Sequence, residues 1–304
     1  MSTNRLRIAI LGASGYTGAE LIRLLARHPQ IEIRALTAER QAGKKLAEVF
    51  PHLGRLALPD LVKIEAVDWS GMDHGTTQEV IAALPKGVKV VDLSADFRLA
   101  DVATYAEWYG HEHRAPDLQK EAVYGLTELY RDAIRPARLV ANPGCYPTSV
   151  QLPLVPLVEA GLIDADDIII DAKSGVSGAG REAKQGTLYA EVTEGIHAYG
   201  IASHRHAPEI EQGLSNAAGR PLRVNFTPHL MPMSRGILST MYVRLANGGG
   251  AAALRDALAR RYRDEPFVGV LPEGEAPATR HVRGANHCLI GLFDDRVTGR
   301  AIVV

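Results

Sequence analysis

Short apolar runs and helical patterns alternate along the first half of the chain. A run at residues 6–11 precedes a glycine turn and then "AELIRLLARHP", whose leucines recur at helical spacing as far as a His-Pro pair. Three more apolar runs, each ending in a turn, follow at residues 31–37, 88–94 and 137–143. Strands that alternate with helices in this way predict a Rossmann-type, doubly wound parallel sheet.

Strand patterns cluster around one helix in the second half. The strands are "DIIIDAK", "RVNFTPHL", "STMYVRLA" and "HCLIGLF", and the helix is "GAAALRDALARRYRDE". This pattern is typical of an α+β domain with a mostly antiparallel sheet. We therefore expect an α/β protein with a Rossmann-type domain over residues 1–144 and an α+β domain over residues 145–304. Antiparallel sheets commonly leave one face available for subunit contact, which favours a homo-oligomer, either a dimer or a tetramer.

The composition narrows the classes of partner. The 304 residues carry a formal net charge of −1, which supplies no basic field for nucleic acid or for an anionic membrane. No stretch reaches the roughly 18 apolar residues of a membrane span, and the first apolar run is too short for a signal peptide. We expect a cytoplasmic protein whose partner is a small molecule.

A glycine-rich turn joins the first strand to the first helix. Gly12, Gly15 and Gly18 are spaced as GxxGxxG, and Ser14 and Thr17 add hydroxyl groups. Backbone N–H groups and a helix N-terminus at such a turn can bind a dinucleotide pyrophosphate. The alternative is an ordinary tight corner without a ligand, because the spacing is not the usual GxGxxG.

The end of the second predicted strand bears on which dinucleotide would bind. An acidic residue there usually accepts the ribose 2′-hydroxyl of NAD, whereas this strand ends at Thr37 with Arg40 just beyond. Arg40 could pair with a 2′-phosphate, which favours NADP. Glu39 lies beside Arg40, and Arg40 is equally well interpreted as an exposed arginine on a polar loop.

One of the two cysteines lies where a helix is predicted to begin. Cys145 stands in "ANPGCYPTS", with Pro147 and Thr148 suited to open the helix that follows. A helix N-terminus favours the reactive thiolate. Cysteines are also commonly small buried hydrophobic residues, so the thiol alone does not establish a nucleophile.

A candidate base for that thiol lies in "ASHRHAPEIEQ". His204 and His206 flank Arg205, and histidine is the side chain best suited to exchange protons near pH 7. A metal site formed by His204, His206 and Glu209 is an alternative, although the spacing does not match a helical ligand pair and we expect no metal. A cluster with a purely structural role is another alternative.

Six motifs together, in order, resemble the N-acetyl-γ-glutamyl-phosphate reductases: "GASGYTGAELIRLL", "DLSADFRL", "ANPGCYPT", "KSGVSGAGR", "HRHAPEIEQ" and "VRGANHCLIG". The resemblance spans nearly the whole chain. It implies an NADPH-dependent reduction of an acyl phosphate in arginine biosynthesis, in which Cys145 forms a thioester. It also implies that His206 is the acid/base, that His204 contacts substrate, and that residues 145–304 form the catalytic domain.

The resemblance suggests further ligand contacts. Arg98 and Arg205 are candidates for the anionic ends of the substrate, although each could equally form a structural salt bridge. The remaining candidates would contact the cofactor: Ser94, Ser174, Gly175 and Gly178. For Ser174, Gly175 and Gly178, a plain flexible turn is the alternative interpretation.

The chain departs from the family pattern in two places. A buried strand is expected before "TTQEVIAAL", yet no apolar run precedes His74-Gly75, and Asp73 replaces the expected proline. The chain also stops at "GRAIVV", without the family's long return helix. We expect omitted segments rather than a shortened variant. The alternatives are a related acyl-phosphate reductase of lysine biosynthesis and a catalytically silent NADP-binding protein.

Overall fold

The computed structural model describes residues 5–68, 78–246 and 248–304. Contacts between Cα atoms divide the chain into two compact units. The first comprises Met1–Ala106, His111–Gly125 and Tyr130–Asn142, and the second comprises Glu107–Gly110, Leu126–Leu129 and Pro143–Val304. The expected missing strand and the His74-Gly75 turn lie outside the described residues.

The first unit contains two parallel three-stranded sheets. Its strands are β1 (Leu6–Ile10), β2 (Ile31–Thr37), β3 (Leu61–Val62), β4 (Val90–Asp92), β5 (Ala122–Tyr124) and β6 (Leu139–Ala141). The strand orders are β1-β2-β3 and β4-β6-β5, and every pairing is parallel. The parallel pattern predicted from the alternating apolar runs is thereby confirmed.

Helices lie between these strands along the chain, and some of them pack on the apolar side chains of the sheets. They are α1 (Tyr16–Leu25), α2 (Leu46–Val49), α3 (Gln78–Ala83), α4 (Val102–Tyr109), α5 (Pro116–Gln119) and α6 (Thr127–Ile134). Ile22 of α1 packs with Ile8, Ile10 and Leu36 in one core. Ile81 of α3 packs with a second core around β4 and β6.

The second unit is built on a six-stranded sheet with the order β13-β14-β10-β7-β9-β8. These strands are β7 (Ile163–Gly175), β8 (His197–Ala198), β9 (Asn225–Met231), β10 (Ile237–Leu245), β13 (Leu292–Asp294) and β14 (Arg300–Val303). Only the β7–β9 pair is parallel, so the predicted mostly antiparallel sheet is confirmed. A separate parallel pair joins β11 (Val268–Val270) to β12 (Cys288–Ile290).

The helices of this unit are α7 (Cys145–Glu159), α8 (Tyr189–Val192), α9 (Ala207–Ala218) and α10 (Ala251–Arg261). Almost every residue of α7 from Tyr146 to Val158 is buried, as its nearly continuous apolar sequence requires. The helix packs against β7 and β10, with α9 and α10 beside it. One end of a buried helix therefore carries Cys145.

One predicted strand is wrong. "HCLIGLF" forms two strands, β12 and β13, which belong to different sheets and are separated by Gly291. Gly291 exchanges two backbone hydrogen bonds with Val304. A Cβ atom at this position would lie 2.9 Å from Pro277 Cδ, so only a glycine permits the close approach that divides the run.

Within the described part of the chain, no helix combines the length and the apolar character needed to cross a bilayer.

Candidate active site

Cys145 is the first residue of α7, and its side chain is exposed. Gly144 is the N-cap in an extended conformation, and the Thr148 hydroxyl donates to the Gly144 carbonyl. The predicted helix start is therefore found at the thiol itself. The 15-residue helix places its positive N-terminal dipole at this sulfur, where it favours the thiolate.

His206 and Glu209 lie against the residue that precedes the thiol. A Cβ atom added at Gly144 would lie 2.6 Å from His206 Nε2 and 2.9 Å from Glu209 Oε2. The Gly144 N–H donates to Glu209 Oε1 at 2.7 Å, and Glu209 is only 1% exposed. The imidazole, the buried carboxylate and the start of α7 thus form one compact group, and glycine is the residue that leaves room for it.

His204 stands next to this group in a different electrostatic state. Its Nδ1 accepts a hydrogen bond from the His206 N–H, so the neutral ring carries its proton on Nε2. Burial, reinforced by the positive charge of Arg205, lowers the pKa of His204 to about 4. His204 is therefore a neutral hydrogen-bond donor near pH 7, whereas the sequence could not distinguish its role from that of His206.

Two tyrosines complete the surroundings of the thiol. The hydroxyls of Tyr146 and Tyr199 are 2.9 Å apart, and both rings pack edge-on against His204. Burial raises the pKa of each phenol, so both remain protonated donors at neutral pH. Sequence reasoning missed these tyrosines and considered Glu209 only as a metal ligand. The available signal was that Tyr146 lies within "ANPGCYPT" and that Tyr199 lies just before "ASHRHAPEIEQ".

Ser174, Gly175 and Gly178 occupy the end of β7 and the turn after it. Ser174 is 5% exposed, and its hydroxyl donates to the Gly175 carbonyl. The N–H groups of Gly175, Val176 and Ser177 donate to carbonyls of residues 233–236. Those three donors are therefore engaged within the protein. A ligand would meet this turn through Ser174 Oγ or the backbone near Gly178.

Arg205 is exposed, and its guanidinium lies 5.1 Å from the centre of the Tyr109 ring. This contact orients the side chain without consuming its hydrogen-bond donors.

The glycine turn of the first unit has a geometry suited to a phosphate group. Gly12 has a φ of +70°, and no atom lies within 4 Å of its missing side chain. Gly15 is the N-cap of α1 and provides no side-chain cap. Gly18 is required for packing, since a Cβ there would lie 2.6 Å from the Gly12 carbonyl oxygen. Ser14 and Thr17 lie in the same turn, and Thr17 is exposed.

The end of β2 is tied to this turn. The Gly12 N–H donates to Thr37 Oγ1 and the Ala13 N–H donates to the Thr37 carbonyl. Arg40 is exposed just beyond, and Glu39 lies 3.7 Å from Lys63 Nζ. Glu39, on the loop that carries Arg40, thus forms an exposed ion pair with Lys63.

Ser94 and Arg98 organise the turn after β4. The Ser94 hydroxyl donates to Asp92 Oδ2, and burial raises the pKa of this fully buried Asp92 carboxyl although the Ser94 bonds oppose the rise. Arg98 Nε donates to the Asn142 carbonyl at 2.8 Å and Arg98 Nη2 to the Leu93 carbonyl at 3.1 Å. Arg98 therefore links the ends of the neighbouring strands β4 and β6.

Among the residues that the structure describes, no three His, Cys, Asp or Glu side chains are arranged to hold a metal ion.

Family models and similar proteins identify the family. Residues 7–137 match the NAD binding domain of semialdehyde dehydrogenases, and residues 145–304 match their dimerisation domain. The N-acetyl-gamma-glutamyl-phosphate reductase of Rhodospirillum rubrum is 64% identical over 313 residues, which cover 99% of this chain and 89% of that protein. The chain belongs to the N-acetyl-gamma-glutamyl-phosphate reductase family. The resemblance noted in the sequence is thereby confirmed.

Other members of the family are also similar to the chain. A probable chloroplastic N-acetyl-gamma-glutamyl-phosphate reductase of Arabidopsis thaliana is 57% identical, with 98% of this chain and 76% of that protein covered.

Solved structures support the fold. Aspartate semialdehyde dehydrogenase II of Vibrio cholerae, complexed with ASA, superposes with a TM-score of 0.71 at 17% identity and covers 98% of this chain and 91% of its own. Aspartate semialdehyde dehydrogenase of Candida albicans with NADP has a TM-score of 0.62 at 17% identity, and the match covers 98% of this chain and 92% of that chain. At these identities the likeness establishes the architecture alone.

Proposed function

We propose that this family member reduces N-acetyl-γ-glutamyl phosphate to N-acetylglutamate semialdehyde and phosphate with NADPH, a step of arginine biosynthesis. The observation that carries the proposal is the group at Gly144: a thiol at a helix N-terminus, beside an imidazole and a buried carboxylate. Curated relatives that are 56% to 64% identical to this chain are named for this reductase activity.

Cys145 is the proposed nucleophile. His206 takes the thiol proton, and the thiolate attacks the acyl carbon, so that a C–S bond forms while the C–O bond to phosphate breaks. NADPH, when bound, supplies a hydride to the thioester carbon. His206 then protonates the oxygen of the resulting thiohemiacetal. It later removes that proton as the C–S bond breaks, which releases the aldehyde and restores the thiolate.

His206 is assigned the acid/base role because it lies against Gly144 and because His204 stays neutral. Glu209 would position His206 and the start of α7 through its bond to the Gly144 N–H. His204, with its Nε2 proton, would donate to the substrate. The paired phenols of Tyr146 and Tyr199 add further donors where negative charge develops on oxygen.

The glycine turn would hold the pyrophosphate of NADPH through Gly12, Gly15 and Gly18, with the Ser14 and Thr17 hydroxyls nearby. An open Gly12 and an uncapped α1 N-terminus fit such an anion. Arg40 would pair with the 2′-phosphate. The nicotinamide end is assigned to the remaining candidates, Ser94, Ser174, Gly175 and Gly178.

The anionic ends of the substrate need cations, and Arg98 and Arg205 are the candidates. Arg98 donates to the main-chain carbonyls of Asn142 and Leu93. Arg205 is exposed over Tyr109. We assign NADP binding to residues 1–144 and the thiol chemistry to residues 145–304. A reducing cytoplasm would preserve the thiol.

The protein is also proposed to act as a homodimer. An apolar row crosses four strands of the second unit, because Ile169 pairs with Tyr242, Tyr242 with Ile302 and Ile302 with Phe293. All four side chains are partly exposed, while their neighbours along each strand are buried, including Ile170 and Val303, except for the exposed Asp294. The match to a dimerisation domain supports a second copy of the chain as the partner of this face.

The reaction run in reverse tests the proposal. Purified protein is given N-acetylglutamate semialdehyde, NADP and orthophosphate, and NADPH absorbance is followed. We expect turnover that requires phosphate, is lost in Cys145→Ser and persists in Cys288→Ser. Cys288 is the matched control, because burial raises the pKa of its thiol to about 11. Absence of turnover in a folded, NADP-binding wild type would contradict the proposed function and support the catalytically silent alternative.

A further inference from the structure

The helices that carry the thiol and the imidazole are joined by two hydrogen bonds to one residue. Glu209, in the first turn of α9, accepts the Gly144 N–H through its carboxylate. Its main-chain carbonyl accepts Gln151 Nε2 at 2.8 Å. Gln151 lies in the middle of α7, almost two turns after Cys145. The pair of bonds therefore links α7 to α9 at two levels.

Gln151 is a fully buried polar side chain. It is 0% exposed, and no described residue offers a hydrogen bond to its Oε1. A buried amide costs free energy unless it is hydrogen-bonded, so the bond to Glu209 decides which way this side chain points.

Gly213 of α9 makes room for the amide. A Cβ atom there would lie 2.5 Å from Gln151 Cδ, 2.6 Å from Nε2 and 2.7 Å from Oε1. These distances are far shorter than a van der Waals contact, so the amide is seated directly on the Gly213 backbone. The two helices approach closely at this point because one offers a glutamine and the other a glycine.

We propose that Gln151 is a positioning residue for the thiol and imidazole pair. Apolar contacts along α7 are non-directional and tolerate sliding, whereas a buried hydrogen bond fixes one register between two helices. The Gln151 amide on Gly213 sets the register of α7 against α9, and so sets the distance from Cys145 to His206. This inference rests on the roles given to those two residues in the proposed function.

Gln151→Met tests the proposal, since methionine keeps the length of the side chain and loses the donor. We expect Cys145 alkylation by iodoacetamide at pH 7 to slow by about tenfold, since small displacements of reacting groups are costly in rate. In the reverse reaction we expect kcat to fall by a similar factor, with KM for the aldehyde nearly unchanged. Alkylation and kcat equal to wild type, even with a lower Tm, would show that Gln151 is merely structural.

Ser215→Ala is the matched control for lost stability. The Ser215 hydroxyl accepts the Leu222 N–H at 2.9 Å, so this variant also removes one hydrogen bond from α9 but leaves Gln151 and Glu209 in place. We expect a lower Tm with wild-type alkylation. Slowing equal to that of Gln151→Met would overturn the specific role of Gln151.

A second pair of variants separates packing from positioning. Gly213→Ala should lower Tm because its Cβ collides with the amide, and Gln151→Ala/Gly213→Ala should recover much of that loss because the smaller side chain frees the space. The proposal expects alkylation to stay slow in the double variant, since the bond to Glu209 is still absent. Recovery of Tm and of alkylation together would contradict it.

The alkylation assay needs no substrate. Failure of the proposed function would appear as a wild type without turnover, whereas failure of this inference would appear as a Gln151→Met protein that behaves like wild type.

Discussion

The two neighbouring histidines lie in different surroundings. His204 is enclosed by the rings of Tyr146, Tyr199 and Phe226, and its pKa falls to about 4, whereas His206 lies against Gly144. The motif located both residues. It could not separate them, because the rings of Tyr146 and Phe226, which pack on His204, belong to other segments of the chain. Only the fold therefore reveals that His204 is a neutral donor.

The lowered pKa of His204 predicts that the free energy of unfolding depends on pH. The unfolded chain takes up a proton at His204 near pH 6.5, whereas the folded chain does so only near pH 4. Between these values the unfolded state binds more protons, so the free energy of unfolding falls as the pH drops through this window. The contribution of His204 is fully present above the window.

Urea unfolding measured across that pH window checks this dependence. We expect His204→Gln to flatten the fall, because glutamine does not titrate. His52→Gln, at an exposed histidine, should keep the wild-type slope. Parallel curves for wild type and His204→Gln would show that His204 titrates equally in both states.

Individual elements were predictable wherever the hydrophobic pattern alone determines them. The apolar run at Ile31–Thr37 is strand β2, and the predicted helix start at Cys145 is the start of α7. The pattern missed the break at Gly291, since a close approach of Pro277 leaves no mark on local periodicity. Gln151 was missed for the same reason, because its partners Glu209 and Gly213 lie 58 and 62 positions away, in α9.

The glycine turn between β1 and α1 leads to a prediction about NADPH binding when one methyl group is added. We expect Gly18→Ala to weaken NADPH binding by about tenfold, because its Cβ would collide with Gly12 and Ala13 main-chain atoms and push α1 from the turn. Gly87→Ala is the matched control, with nothing within 4 Å of its Cβ. Isothermal titration with NADPH measures both. Equal affinity in Gly18→Ala would show that the turn does not hold the nucleotide.

For the whole molecule, the strand patterns indicated a sheet with a face available to another subunit. They could not place that face, and the face proposed here rests on the pairing of Ile169, Tyr242, Ile302 and Phe293 across four strands. This register brings Ile169 and Ile302, which are 133 positions apart in the chain, into one row through Tyr242. It is a property of the folded sheet and is absent from any single segment.

A pair of charges on this face should separate the subunits. We expect Ile169→Lys/Tyr242→Lys to sediment as a monomer, because lysines facing each other across an apolar interface must be desolvated. Val297→Lys changes an exposed residue, 58% accessible, outside the apolar row, and should sediment like wild type. A double variant with the wild-type mass would place the interface elsewhere.

The most direct test of the account is detection of the acyl group on Cys145. The protein is mixed with N-acetylglutamate semialdehyde and NADP without phosphate, quenched in acid and digested for mass spectrometry. We predict an N-acetylglutamyl adduct on the peptide that contains Cys145, and its loss when phosphate is added before the quench. NADPH formation without any adduct on that peptide would contradict the thioester route.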